Sequence, residues 1–353
     1  DKYLLFANHP KVLREAINNV QAPNLNLISA TTFQKAFSGM RENPVALLFV
    51  DFSEWDLQIR DWELLVANRP KLAIGFGIEG QELVAETAWL SEGGNLPALS
   101  ATLSEPVAAL QYIPAASSLV AASRDLRELW SEVSAAATDN WLLSNLLKSP
   151  LTKLEKEWGI DFAEDIFSWV KGEYALARSR GGDWIFVAER SPETEEAIAR
   201  LDAKAAAAGY SIGSFSLGDR TVSAWTELTT VDKDKNALEI QAKAKALHSP
   251  AGKYEIFASS LAAMDEALKA SAGGSFLADG DFEKHLAFLP AENNGYVYLD
   301  WSANRQFLES QFSWLRVVEL WNQLLFDSWR SLTFTTTSTQ AGIRRARAVV
   351  TFD

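Results

Sequence analysis

The sequence predicts an α+β protein with mixed or largely antiparallel sheets covered by helices and an internal pseudo-duplication. Three observations support this prediction. Short segments alternate apolar and polar residues, as strands do, and between them apolar residues recur at i, i+4 and i+7, as on helices. Similar residues also recur in the same order near both ends of the chain, which is the signature of a repeated unit.

The N-terminal segment predicts a strand, two helices, a buried strand, a further helix near 55–67 and a closing pair of strands. The first strand is expected at 3–7, and a helix begins at Pro10, because proline suits the first helical turn. The apolar face of this helix consists of Val12, Leu13, Ala16, Ile17 and Val20. A second helix carries Phe33, Phe37 and Met40 on one face. A buried strand is expected at Val45–Phe52, and paired strands at 72–78 and 83–90.

The C-terminal segment predicts the same elements in the same order. A strand at 254–258 leads to a helix capped by Ser259 or Ser260. The second helix carries Phe282, Leu286 and Leu289 at the spacing seen in the first copy. A buried strand at Tyr296–Trp301 and paired strands at 332–338 and 343–352 follow. Asp51 and Asp300 end the two buried strands, and we expect each to cap the following helix.

The middle segment predicts strands, helical stretches between the first strand and about Val170, and one further helix. A strand is expected near 118–123, and a hairpin joins Glu173–Arg178 to Trp184–Glu189. A helix opens at 191–193 and ends at Gly209. Strands at 211–216 and 220–228 follow. Leu238, Ile240, Ala242, Ala244 and Ala246 alternate with polar residues and predict another strand, although the alanine and lysine content would also suit a helix.

The repeat predicts the domain organisation. Residues 1–107 are expected to be the second half of a first unit whose N-terminal half is absent. Residues 108–353 are expected to be a complete second unit, with 108–251 as its first half and 252–353, which resembles 1–90, as its second half. The alternative is two short copies that flank an unrelated inserted domain. In either case we expect a natural N-terminus upstream of Asp1.

Composition excludes several function classes. The net charge of −13 argues against nucleic-acid binding, which needs clustered cations. The chain has no cysteine, and His9, His248 and His285 have no partner at metal-ligand spacing, so we expect no thiol chemistry, metal or cofactor. The sequence contains none of the short motifs of common enzyme classes, and we expect no catalytic residue.

One acidic cluster keeps an enzymatic alternative open. Asp161, Glu164 and Asp165 lie between Trp158 and Trp169, a composition that suits a sugar site with paired acids. Asp161 followed by Glu164 is also the pattern of a helix cap and its first-turn acid. We favour the structural interpretation.

The 13 tryptophans are the feature most open to a functional interpretation. Four of them lie within 301–329, where a helix is expected at about 303–329. The candidate ligand- or partner-binding residues are Trp314, Val318, Trp321 and Leu325, at i, i+4, i+7 and i+11, with Trp329 beside them. Core packing is the default interpretation of this helix, because it is apolar nearly all round, and a ligand- or partner-binding face is the alternative.

Three arginines mark the last predicted strand. Arg345 and Arg347 share one face of it, and Arg344 lies on the other. The shared face is expected to be solvated or to meet acids, with a small anion site as the alternative.

The run from Gly159 to Glu173 contains an acidic residue and isoleucine followed by tryptophan and glycine. This pattern resembles a signature of the cyanobacterial domain-of-unknown-function family three-three-five-two. Ile113-Pro114-Ala115 and the stretch from Tyr254 to Ser260 are similar to its other landmarks. The resemblance implies a membrane-anchored protein with duplicated α+β units, on the periplasmic or thylakoid-lumen side, whose N-terminal anchor is absent here. It implies no activity, since the family is uncharacterised.

These observations predict a non-enzymatic, membrane-associated or extracytoplasmic binding or scaffold module. Its partner is expected to be an unidentified protein or an apolar small molecule. One alternative is a carrier that holds a lipid or pigment beside the Trp-rich helix at 303–329. The other alternative is a carboxylate-dependent hydrolase.

Overall fold

Thirteen strands form one continuous antiparallel sheet in this computed structural model. The structure describes residues 4–22, 24, 26–41, 44–52, 71–90, 103–131, 155, 160–234, 237–311, 326–337 and 342–353. The order of the described strands across the sheet is β1-β2-β3-β13-β12-β11-β4-β5-β6-β10-β9-β8-β7. The outermost described strands are therefore β1 and β7.

The strands are numbered in chain order. They are β1 (Ala46–Asp51), β2 (Lys71–Glu79), β3 (Glu82–Leu90), β4 (Leu119–Arg124), β5 (Glu173–Arg178), β6 (Trp184–Glu189), β7 (Ser211–Leu217), β8 (Arg220–Asp234), β9 (Ala237–Ala251), β10 (Tyr254–Ala258), β11 (Tyr296–Asp300), β12 (Trp329–Thr336) and β13 (Ile343–Phe352). Most neighbours in the sheet are also neighbours in sequence. The pairs β3–β13, β4–β11 and β6–β10 join distant parts of the chain.

The helices of the described residues pack on this sheet or lie beside it. They are α1 (Pro10–Gln21), α2 (Thr31–Phe37), α3 (Thr194–Ala207), α4 (Leu261–Ala270), α5 (Gly280–Leu286) and α6 (Trp301–Gln311). Short 3₁₀ turns lie at Leu27–Ser29, Ala108–Tyr112 and Phe276–Ala278, and a π-helical turn lies at Ala163–Phe167.

The predicted fold class is wrong. The expectation was of several mixed or antiparallel sheets in an α+β arrangement with duplicated units, whereas the described strands belong to a single antiparallel layer. The pairing of Ala85 with Ala348, on β3 and β13, joins strands from the two ends of the chain. Local periodicity specifies each strand but not its distant neighbour, so the sequence pattern does not reveal that the segments merge. The domain boundary at 107/108 stays a prediction.

Apolar cores lie on both faces of the sheet. Ala224 and Trp225 are consecutive on β8, so their side chains point to opposite faces, and they belong to different buried clusters. The larger cluster lies under α4 and α5 and includes Met264 and Phe282. The other lies under α3 and includes Leu201. A third, small cluster places α2 on Ala73 and Ala88 of β2 and β3.

Several local predictions are confirmed. The hairpin of β5 and β6 and the strand at 238–246 are present. Pro10 begins α1, and the hydroxyl of Ser260 accepts a hydrogen bond from the backbone N–H of Ala263 at 3.1 Å. The Asp300 carboxylate caps α6 by accepting from the backbone N–H of Ala303 at 3.0 Å.

Near the N-terminus one strand prediction is wrong, and another is confirmed as a strand but wrong in its burial. Residues 4–7 are not a strand, and Leu4 and Phe6 are exposed. In contrast, β10 at 254–258 lies between β6 and β9, which supply the hydrogen-bonding neighbours that a strand needs. The strand expected to be buried at 45–52 forms β1, whose first half is exposed because β1 is the outermost described strand on its side.

Candidate binding surface

The predicted tryptophan site lies mostly outside the described residues. Trp314, Val318, Trp321 and Leu325 are among those outside. Trp329 begins β12, and its ring packs on Trp301 and Phe326, with centroid distances of 5.2 and 4.8 Å. Within the part of the chain that the structure describes, the indole N–H groups of Trp301 and Trp329 are buried without a hydrogen-bond partner. Trp301, Phe326 and Trp329 therefore form an aromatic cluster, whereas the predicted site that joins Trp329 to residues 314–325 stays a prediction.

The acidic cluster is held by structural contacts. The Asp161 carboxylate accepts a hydrogen bond from the backbone N–H of Glu164 at 2.9 Å, as expected for a cap. Asp165 is buried and pairs with the ammonium group of Lys204, with one N–O distance of 2.7 Å. Two of the three carboxylates are therefore engaged locally. Their arrangement gives no support to the paired acids of the hydrolase alternative.

His285 lies at the centre of a buried polar network. Its Nδ1 and Nε2 atoms contact the hydroxyls of Thr333 and Thr351 at 2.5 and 2.7 Å. The Thr351 hydroxyl also donates to the Glu82 carboxylate at 2.6 Å. Burial lowers the pKa of His285, while Glu82 and Asp281 act to raise it. His285 is fully buried on α5, where it contacts residues of β12, β13 and β3.

The other two histidines also have local roles. His9 caps α1 through its ring Nδ1, which accepts from the backbone N–H of Lys11 at 3.2 Å. His248 is buried on β9, and its Nδ1 lies 3.0 Å from the carboxylate of Glu255. The described residues contain no group of three or more histidine or acidic side chains that could hold a metal ion.

The shared arginine face of β13 binds protein groups. Arg345 donates hydrogen bonds to the backbone carbonyls of Lys35, Ala36 and Ser38, at the end of α2. Arg347 pairs with the Glu86 carboxylate and donates to the carbonyl of Phe288 at 2.9 Å. The face that carries Arg345 and Arg347 contacts the carboxylate of Glu86, as expected, and also the backbone at the ends of α2 and α5. The guanidinium donors are engaged there, so the geometry does not favour a free anion site.

Exposed apolar side chains concentrate near the N-terminus. Of the nineteen large apolar side chains exposed in the described structure, eleven lie within residues 4–48. No residue of α1 is buried, and Val12, Ile17 and Val20 are 50%, 43% and 78% exposed. In contrast, α4, the helix that follows β10, buries Ala263, Met264, Ala267 and Ala270 against the sheet. The apolar face predicted for α1 therefore exists, but no described element covers it.

The edge strand β1 adds to this exposed apolar surface. Val45, Leu47 and Leu48 are 69%, 52% and 44% exposed, and the last two point to opposite faces of the sheet. Among the described strands, β1 has a neighbour on one side only. Its outer backbone N–H and C=O groups thus form an edge that another strand could join. We call the exposed apolar residues of 4–6, α1 and β1 the N-terminal apolar surface.

A row of residues leads from this edge into the sheet. Leu47, Gly75, Glu86 and Arg347 face one another on adjacent strands. A small pocket of about 110 Å³ lies at the outer end of the row, and its lining includes Phe37, Met40 and Pro44. The backbone N–H of Arg41 donates to Glu86 at 2.6 Å, which fixes the loop after α2 over the row.

Sequence reasoning missed this surface. Periodicity identifies the apolar face of α1 and the strand at β1, but it does not show whether another element covers them. No helix in the described residues is long and apolar enough to cross a membrane.

The fold and this surface define an antiparallel sheet protein with helices on both faces and an uncovered apolar end. The chain belongs to the family described as "Protein of unknown function (DUF3352)", whose model matches residues 1–352. The resemblance noted from the sequence is thereby confirmed, while cyanobacterial origin and membrane anchoring stay predictions. No curated protein matches the sequence.

One solved structure is similar to part of the chain. It is described as "Structure of crystal form III of TP0453" and covers 67% of this chain and 75% of its own. The sequence identity is 11% and the TM-score is 0.33. A similarity this low supports no argument about fold or function.

Proposed function

We propose that this protein is a non-enzymatic binding or scaffold module that takes up an extended segment of a partner protein along the outer edge of β1. The observation that carries the proposal is the concentration of exposed apolar side chains on the N-terminal apolar surface. Exposed apolar residues that are concentrated in one part of a protein are typical of interaction sites. The membrane-associated or extracytoplasmic setting expected from the family resemblance belongs to the same proposal.

The contrast between α1 and α4 supports a missing partner. Both are amphipathic helices, but Met264 and Ala267 of α4 are fully buried while Val12 and Val20 of α1 are exposed. Burying apolar surface contributes about 25 cal/mol per Å², so an uncovered face leaves this stabilisation unused. A partner that covers α1 would gain it on binding.

The strand β11 indicates the chemistry of the partner at β1. Strands β11, β12 and β13 form a three-stranded group in the sheet, as do β1, β2 and β3, and the two groups meet at β3–β13. The outer edge of β11 is occupied by β4, with Val297 opposite Ala121. We therefore expect β1 to accept an antiparallel strand of small and apolar residues, in the manner of β-strand addition.

A peptide with the sequence of residues 117–126, which contains β4, provides a test. We expect it to bind the full chain saturably. Binding should quench the fluorescence of a dye attached at β1, or form a covalent product with a crosslinker placed there. The control peptide carries Ala121→Pro, which removes a backbone donor and should weaken binding at least about tenfold, or 1.4 kcal/mol. Equal binding of the two peptides would contradict strand addition.

Substitutions in the protein locate the binding edge. Leu48→Lys places a charge on the exposed part of β1 and should abolish peptide binding. Leu228→Lys is the matched control, because Leu228 is 58% exposed on β8 and distant from β1 in the strand order. If both variants bind the peptide like the parent protein, the binding edge is not β1. Unchanged circular dichroism of each variant shows that its fold is intact.

The carrier alternative depends on residues whose arrangement is not described. Within the described residues, the pocket of about 110 Å³ has no tryptophan in its lining. The cluster of Trp301, Phe326 and Trp329 packs on itself at centroid distances of 4.8 to 5.6 Å. The N-terminal apolar surface therefore gives the stronger basis for a function.

A further inference from the structure

The strand at the opposite end of the sheet from β1 is also an open edge. Strand β7 pairs with β8 and has no second neighbour among the described strands. Six of its seven residues are exposed, and the seventh, Leu217, is half-buried. Its outer row of backbone N–H and C=O groups is thus accessible along its length within the described structure.

Strand β7 lacks the usual protection of a sheet edge. Proteins commonly guard such edges with lysine, proline or a β-bulge. The sequence of β7 is Ser-Ile-Gly-Ser-Phe-Ser-Leu, with no charged residue and no proline, in a chain of which 22% is charged. Its pairing with β8 is also regular from Ser211 to Leu217, without a register shift.

The sequence of β7 is complementary to that of a second β7 strand placed antiparallel beside it. With Ser214 at the centre, Gly213 of one strand lies opposite Phe215 of the other, and Ile212 lies opposite Ser216. Phe215 is 39% exposed, and a Cβ on Gly213 would meet no atom within 4 Å. A phenyl ring of one strand therefore has open space over the glycine of the other, the pairing known to support glycines in sheets.

We propose that β7 is a homodimer interface, at which a second copy of this chain adds its own β7 antiparallel about a two-fold axis at Ser214. A two-fold contact must be self-complementary, and the Gly213–Phe215 pair meets this condition twice, once on each side of the axis. The absence of charge on β7 means that no like charges face each other there, although each chain carries −13 overall. The dimer would place the two β1 edges at its far ends.

The absence of cysteine allows a sharp test of the register. In the proposed dimer Ser214 faces its own counterpart, and Cα atoms of directly opposite antiparallel residues are about 4.5–5.5 Å apart. A disulfide needs about 4.4–6.8 Å, so Ser214→Cys should form a covalent dimer rapidly on mild oxidation. Ser216→Cys is the matched control. Its counterparts are offset by four residues, roughly 13 Å, so it should not crosslink.

Sedimentation of the full chain tests the interface itself. We expect a concentration-dependent dimer of twice 39.0 kDa. Ser214→Lys, which brings two cations together at the axis, should shift the protein to the monomer with an unchanged circular dichroism spectrum. Leu228→Lys, an exposed change on the neighbouring strand, should leave the dimer intact. A parent protein that stays monomeric, a dimer that survives Ser214→Lys, or equal crosslinking at 214 and 216 would each overturn the proposal.

Discussion

The imidazole Nε2 atom of His285 lies 2.7 Å from the hydroxyl oxygen of Thr351, in a site from which water is excluded. This contact joins α5 to β13, and the Thr333 contact on the other ring nitrogen joins it to β12. Both ring nitrogens therefore contact a hydroxyl in this buried site, where burial disfavours the charged ring by lowering the pKa of His285.

We expect His285 to make stability fall in mildly acidic solution. Burial lowers the pKa of His285 in the folded state below its ordinary value of 6.5, so below that pH the unfolded chain binds a proton that the folded chain does not. The free energy of unfolding should then fall by up to about 1.4 kcal/mol per pH unit below pH 6.5, relative to His285→Gln. Urea unfolding of both proteins between pH 7.5 and 5.5 measures this, and parallel profiles would contradict it.

The pair Asp165–Lys204 should contribute to stability. Asp165 is 5% exposed, and Lys204→Met leaves its carboxylate with the backbone N–H of Asp161 as its remaining described donor. Because Lys204 is partly exposed, we expect a loss of about 1–2 kcal/mol rather than the larger cost of a fully buried pair. Arg200→Met, on the exposed pair with Glu196 in the same helix, should cost about 0–0.5 kcal/mol. Urea unfolding measures both variants. Equal losses in the free energy of unfolding would show that the Asp165–Lys204 pair stabilises the protein no more than the exposed pair does.

Arg345 should hold the end of α2 on the sheet. Its guanidinium donates to three backbone carbonyls there, and Arg345→Met should cost about 1–2 kcal/mol and speed hydrogen exchange in α2. Arg14→Met on the exposed helix α1 is the control and should change neither quantity. Unaltered exchange in α2 after Arg345→Met would mean that the packing on Ala73 and Ala88 suffices.

Two glycines should respond in opposite ways to alanine. Gly295 has φ +108°, and a Cβ there would lie 2.5 Å from the carbonyl oxygen of Ala122, so Gly295→Ala should destabilise by about 2 kcal/mol or more. Gly280 begins α5 without a positive φ, and a Cβ would meet nothing within 4 Å. Gly280→Ala should therefore be neutral or stabilise by up to about 1 kcal/mol. Thermal unfolding separates the two, and a tolerated Gly295→Ala would require the β4–β11 contact to be looser than described.

The helices α1 and α4 should differ in their contribution to stability. Met264 of α4 is fully buried, so Met264→Ala should cost about 2–5 kcal/mol. Ile17 of α1 is 43% exposed, and Ile17→Ala should change the free energy of unfolding by less than about 1 kcal/mol. Urea unfolding measures both. A large loss for Ile17→Ala would mean that α1 is covered in solution, and it would count against the N-terminal apolar surface.

The sequence by itself determined most of the local elements. Pro10 and Ser260 mark helix starts, the glycine turn marks the β5–β6 hairpin, and alternation marks β9, because these signals act over a few residues. The Asp300 cap was predictable for the same reason. The family resemblance was carried by the short run from Gly159 to Glu173.

Only the tertiary structure decided how these elements combine. That Ala85 pairs with Ala348, or that His285 is buried between Thr333 and Thr351, depends on contacts between residues far apart in the chain. The same holds for exposure, since the apolar periodicity of α1 and α4 is alike, while in the part of the chain that the structure describes the sheet covers α4 and not α1. A pattern along the chain specifies which face of an element is apolar. The element that covers this face is set by long-range packing, and so is the exposure of the candidate surface.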